Sequence, residues 1–141
     1  MDASKMINLD NNSAIKLEYD ATHDILFGYC PDFTDMNMTE ANMAFQEVVK
    51  TLLQHNITKV LIDSRMSYMD VSTHKHKAVL EMFALNLYST KLKKFARIMT
   101  ENEDRESSVL QVVDEANIPF AFRNFRDIPT AVEWLKSQSN S

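Results

Sequence analysis

KFARIMT (Lys94–Thr100), VLQVVDEAN (Val109–Asn117), IPFAFRNF (Ile118–Phe125) and DIPTAVEWLK (Asp127–Lys136) are the stretches that decide the fold. The first and third are short and rich in aromatic and β-branched residues, as strands are. The second spaces Val109, Val112, Val113 and Ala116 three and four apart, one inner face of a helix. The fourth opens on Asp127 as an N-cap, sets Pro129 in the first turn, and turns Val132 and Leu135 inward. Strand, helix, strand, helix in that order predicts an α/β domain with a partly parallel sheet.

Upstream the same alternation continues. Ile15, Leu17 and Tyr19 alternate with Lys16 and Glu18, a half-buried strand. DATHD (Asp20–Asp24) is a turn, and ILFGYC (Ile25–Cys30) is nearly all apolar, a more central strand that forms a hairpin with the first. A helix is expected from about Glu40, with Thr39 as N-cap, to His55. TKVLID (Thr58–Asp63) is the next strand. SRMSYMDVS (Ser64–Ser72) is a loop, and Ser72 or Thr73 caps a helix from about His74 to Leu92 with Val79, Met82, Phe83, Asn86 and Leu87 on one side. The expectation is α/β, a five-stranded mixed sheet flanked by about four helices. Residues 1–13 form a flexible tail, 14–136 the domain, and 137–141 a second short tail.

At 141 residues, 45% hydrophobic and 25% charged, the chain is one globular domain. The single cysteine, Cys30, makes no internal disulfide and suits a cytoplasmic setting. The N-terminus lacks a signal-peptide pattern, and no apolar run approaches the roughly 20 residues of a membrane helix. A net charge of −5 disfavours nucleic acid as a partner. The one basic concentration, Lys91, Lys93, Lys94 and Arg97, reads as a solvated helix end. There is one glycine, Gly28, so the glycine-rich phosphate loops of P-loop, dinucleotide-binding and kinase folds are excluded.

FRNFRDIPTAVEWL (Phe122–Leu135) and KVLIDSRMSYMDVST (Lys59–Thr73) together resemble the STAS / SpoIIAA-like family, the domain of anti-sigma-factor antagonists. In that family an aspartate opens the last helix and Ala-x-x-Trp-Leu closes it, and a strand ending in aspartate leads to an Asp-Ser-Ser-Gly loop. Asp70, Val71, Ser72 and Thr73 fall on that loop. The resemblance implies a non-enzymatic cytoplasmic regulatory module with a protein partner, a kinase or anti-sigma-like regulator. Ser72 then matches the phosphorylated serine, with Asp63, Asp70 and Thr73 shaping the loop. Val71 and Thr73 stand where the family has serine and glycine, which makes the switch a degenerate one.

Other candidates weaken on inspection. His74 and His76 stand two apart, about 200° around a helix, so they share no metal ion. Cys30 closes an apolar strand, as a buried inert thiol does. No catalytic, cofactor or metal set emerges. The alternative function is carriage or sensing of a small apolar, lipid-like ligand near Met82, Phe83 and Leu87. A homodimer is compatible with either reading.

Overall fold

The computed structural model describes residues 6–9, 15–34, 36–68 and 72–137. Its strands are β1 (Met6–Leu9), β2 (Lys16–Asp20), β3 (Ile25–Tyr29), β4 (Lys59–Asp63), β5 (Lys94–Ile98) and β6 (Ala121–Phe125). Its helices are α1 (Met38–His55), α2 (Thr73–Leu87), α3 (Glu103–Ala116) and α4 (Ile128–Lys136). They make one six-stranded sheet in sequence order, antiparallel through β1, β2 and β3 and parallel from β3 to β6. The sheet therefore has one strand more than expected. β1 lies within the stretch read as a tail and pairs with β2 from Met6 opposite Asp20 to Leu9 opposite Leu17.

Consecutive parallel strands joined by crossovers of one hand step across the sheet in one direction, so their helices share a face. On that face α1 and α2 bury Ala44, Val48, Leu52, Val79, Phe83 and Leu87 against Leu17, Leu26, Val60, Ile62 and Phe95. Helix α4 covers the other face, where Ala131, Trp134 and Leu135 meet Ile25, Phe27, Leu61, Ala96, Ile98 and Phe125. The alternation along each strand divides the two cores: Phe95 belongs to the first, Ala96 and Ile98 to the second.

The ends are chemically specified. Helix α1 begins two residues before the expected point because Asn37, not Thr39, caps it. Asn37 Oδ1 accepts from Glu40 N at 2.8 Å, and Glu40 Oε1 accepts from Asn37 N at 3.0 Å. With glycine so scarce, Asn56 and Asn117 take the left-handed positions after α1 and α3, at φ 52° and 53°. Gly28 has another reason: a β-carbon there would stand 2.8 Å from Ile62 Cδ1. The β2–β3 turn is held by Asp24, whose carboxylate accepts from Tyr19 Oη at 2.6 Å and from Thr58 N and Oγ1 at 3.0 and 2.6 Å. Helix α2 ends at Leu87, short of the expected Leu92, and Lys93 N then bonds Thr58 O at 2.7 Å as β5 enters the sheet.

The basic cluster is a correction. Lys91 and Lys93 are exposed, but Lys94 and Arg97 are buried on β5 rather than solvated at a helix end. Lys94 points to the α4 face, where Nζ donates to Trp134 O, Ser137 O and Ser137 Oγ at 2.8, 2.9 and 3.1 Å. It closes the C-terminus of α4, where a cation meets the negative end of the helix. Arg97 points the other way, under α2 and α3.

Candidate ligand-binding site

Between α2, α3 and the sheet lies a cavity of about 100 Å³. Its walls follow from two periodicities. Helix α2 turns His76, Val79, Phe83 and Leu87 inward, at helical spacing, and of these His76, Phe83 and Leu87 line the cavity. Helix α3 contributes Val109, Val112 and Val113, and the sheet contributes Ile62, Phe95 and Phe122. The lining is strongly aromatic. Phe33 stacks on Phe45 at 5.8 Å between ring centroids, Phe45 meets Phe83 at 4.9 Å, and Phe83 meets Phe95 edge-on at 6.0 Å. Phe95 then packs on Phe120 and Phe122 at 6.0 and 5.3 Å.

The cavity also has polar lining: Cys30, Ser64, Ser67, His76, Arg97, Thr100 and Arg105. Several of these stand where β3, β4 and β5 end, the side on which open α/β sheets place their ligands. Arg97 is fixed there by Glu106 of α3. Nη1 donates to Oε1 at 2.5 Å and Nη2 to Oε2 at 3.0 Å, while Thr100 N and Oγ1 add bonds to Oε2 at 3.0 and 2.7 Å. Burial works to raise the Glu106 carboxyl, but the bonds from Arg97 and Thr100 outweigh it and hold it below the usual range.

His76 differs from every neighbour. It is 8% exposed, and its Nδ1 is buried with no hydrogen-bond partner. Burial, then the positive charges of Arg105 and Arg97, push its imidazole down to about 4, so the ring is neutral at pH 7. Cys30 is pushed up to about 12, chiefly by burial, with the Ser64 hydroxyl bonded to it and Arg97 opposing only in part. Both groups are held in their neutral forms. A protonated thiol is a poor nucleophile, and an imidazole so hard to protonate is a weak base near neutral pH.

The residues singled out in the sequence fall in different places. Phe83 and Leu87 line the cavity. Met82 does not: it is 47% exposed on the outer side of α2. It follows Val79 by three residues, but it stands 100° from Phe83, and His76 and Leu87 fix the inward stripe on the Phe83 side. Asp63 ends β4 with the parity of Leu61, the α4 side, and is tied up by Arg65. Arg65 Nε and Nη2 donate to it at 3.0 and 2.7 Å, and Arg65 N at 3.1 Å. Burial would raise the Asp63 carboxyl, but Arg65 holds it low. Ser72 is exposed and is the N-cap of α2, accepting from Lys75 N at 3.2 Å. Thr73 is the first residue of that helix. Asp70 lies outside the described residues.

Sequence reasoning missed His76, Arg97, Ser64 and Arg105 as cavity residues. The signal for two of them was present: Arg97 shares strand parity with Phe95, and His76 sits three before Val79 and seven before Phe83. Among the described residues no cluster of three or more His, Cys, Asp or Glu side chains could hold a metal ion, and no helix is long and apolar enough to cross a membrane.

No family model, curated protein or solved structure matches this chain.

Proposed function

We propose that this domain is a non-enzymatic binding module for a small, mainly apolar molecule, acting as its carrier or sensor. One observation supports the reading above others: an aromatic cavity of about 100 Å³ beneath α2 and α3, with polar side chains on part of its wall. Ligand sites combine apolar walls with a few orienting polar groups in this way. The volume limits the occupant. An apolar cavity of about 150 Å³ accommodates benzene, so this one suits a molecule of roughly that size or less unless α2 or α3 moves. The neutral states of Cys30 and His76 favour binding over turnover. In this reading the protein works in a reducing compartment such as the cytoplasm, where the one cysteine stays a thiol.

The resemblance to SpoIIAA-like regulators supports a second reading, a partner-facing module with Ser72 as its modified residue. The observation in its favour is that Ser72 is exposed at the start of a 15-residue helix, where a phosphate meets free N–H groups. Intact mass of the gently isolated protein, native and then denatured, separates the two. The first reading predicts a small added mass that disappears on denaturation. A bare chain in both states counts against it, and a phosphoryl mass that survives and maps to Ser72 supports the second.

A further inference from the structure

Within the proposed ligand site, on whose reading this inference rests, one polar group is left over. Among the described residues, His76 Nδ1 is the one fully buried side-chain nitrogen or oxygen without a hydrogen-bond partner, and His76 lines the cavity. The other polar groups of the wall are engaged within the protein. Arg97 is held by both oxygens of Glu106, and Asn124 Oδ1 accepts from its Nη1 at 3.4 Å. Arg105 has its own interaction partner within the chain. The Thr100 hydroxyl donates to Glu106 Oε2, and the Ser64 hydroxyl is bonded to Cys30. His76 remains, buried and neutral near pH 7 because burial and the charges of Arg105 and Arg97 oppose its protonation. Native interiors rarely leave such an atom unbonded, because the bond it made to water is not replaced. What completes it is uncharged. A charged head group would leave water for a wall whose charges are already engaged, which costs more than one hydrogen bond returns.

We propose that the cavity takes a small uncharged alcohol of about four carbons, its hydroxyl bonded to the His76 imidazole and its chain lying against Phe83, Phe95 and Val109. The chain length follows from the volume, which is somewhat below that of a benzene-sized cavity. The hydroxyl follows from the imidazole. A neutral ring carries one N–H and one bare nitrogen, and a hydroxyl, which both donates and accepts, bonds either one. An ether or ketone accepts only, and so suits one tautomer alone. His76 thus sets the head group, and the aromatic rings set the size.

The test is an NMR titration of the full chain near neutral pH with 1-butanol, pentane, propanoate and butylammonium, probes of like size. Backbone shifts of Phe83 and methyl shifts of Leu87 and Val109 report occupancy of the cavity, and the ring nitrogens of His76 report the head group. Pentane and 1-butanol are both expected to enter, and the alcohol alone should move the His76 nitrogens. The two ions are expected to bind at least about tenfold more weakly than the alcohol. His76→Phe keeps a ring and removes both nitrogens. It should lower the ratio of butanol to pentane affinity about tenfold, the effect of one hydrogen bond, with the hydration of each probe cancelling in the comparison. An undiminished ratio overturns the role of His76. Equal or tighter binding by propanoate or butylammonium overturns the uncharged assignment while the ligand site stands. Entry of pentane without 1-butanol, or of 1-butanol with no change at the His76 nitrogens, overturns the hydroxyl assignment and again leaves the site standing. No shift at Phe83, Leu87 or Val109 with any probe overturns both the alcohol and the site. The wild-type comparisons do not depend on how well the variant folds.

Discussion

Glu106→Gln removes the charge that holds Arg97 under α3, and its cost can be worked from the geometry. The carboxylate accepts four hydrogen bonds, two from the Arg97 guanidinium and two from Thr100. Glutamine keeps the volume but offers one oxygen, and its NH₂ faces donors. Breaking a buried pair from one side costs about 3–5 kcal/mol. These side chains retain 10% and 15% exposure, so the lower end applies, about 3 kcal/mol. In a domain of this size that lowers Tm by roughly 10 °C. Urea unfolding of both proteins gives the value, with unchanged m as the sign that only stability moved. The pH dependence supplies a second check. Because the folded-state carboxyl is held low, its contribution is present above the usual carboxylate range and is lost as pH falls through the lower folded value. The gap between wild type and variant should be full at pH 7 and close on acidification below the usual range. Adding Arg97→Met to Glu106→Gln should recover at least about 1 kcal/mol, since the variant's orphaned charge goes with it. A cost under about 1 kcal/mol at pH 7, or a gap that persists unchanged through the acid range, would refute the claim that this pair organises the polar wall.

Other predictions follow from single side chains. Lys94→Met removes three hydrogen bonds at the end of α4 and the cation 5.0 Å above the Trp134 ring, and should cost about 2 kcal/mol in urea unfolding. Cys30 should resist a thiol reagent at pH 8 in the native protein and react fully in urea, read by intact mass, because burial keeps it a thiol up to about pH 12. Asn56→Ala should destabilise by about 1 kcal/mol through its left-handed backbone while Asn56→Gly does not, a contrast thermal unfolding resolves. Met82→Ser should leave cavity occupancy in the NMR titration unchanged, whereas Phe83→Ala should disturb both occupancy and stability, the latter by about 3 kcal/mol.

The α/β order was legible because period and caps agreed. Val109, Val112 and Ala116, the Asp127 cap with Pro129, and the alternation of Leu17 with Lys16 and Glu18 each point to one local structure. Strand β1 was not legible: MINL is four residues long, and its pairing with β2 gives it its conformation. The basic residues were misread for a related reason. Charge composition alone says solvated, and only the parity of Phe95 with Arg97, or the approach of α4 over Lys94, says otherwise. Met82 shows the limit of reading a helix face from spacing. Three and four residues after Val79 are Met82 and Phe83, neighbours 100° apart, and the sheet beneath decides which is covered. The cavity itself follows from how two helices sit on five phenylalanines contributed by separate segments, Phe33, Phe45, Phe95, Phe120 and Phe122, and no local pattern encodes that.

The space beneath α2 and α3 is proposed to be an apolar site that admits a ligand. Its most direct test is a crystal of the protein under xenon pressure, since xenon enters apolar cavities of about this size without needing a head group. Xenon density is expected among Phe83, Phe95, Val109 and Phe120. Side chains collapsed together there, with no xenon bound, would contradict it.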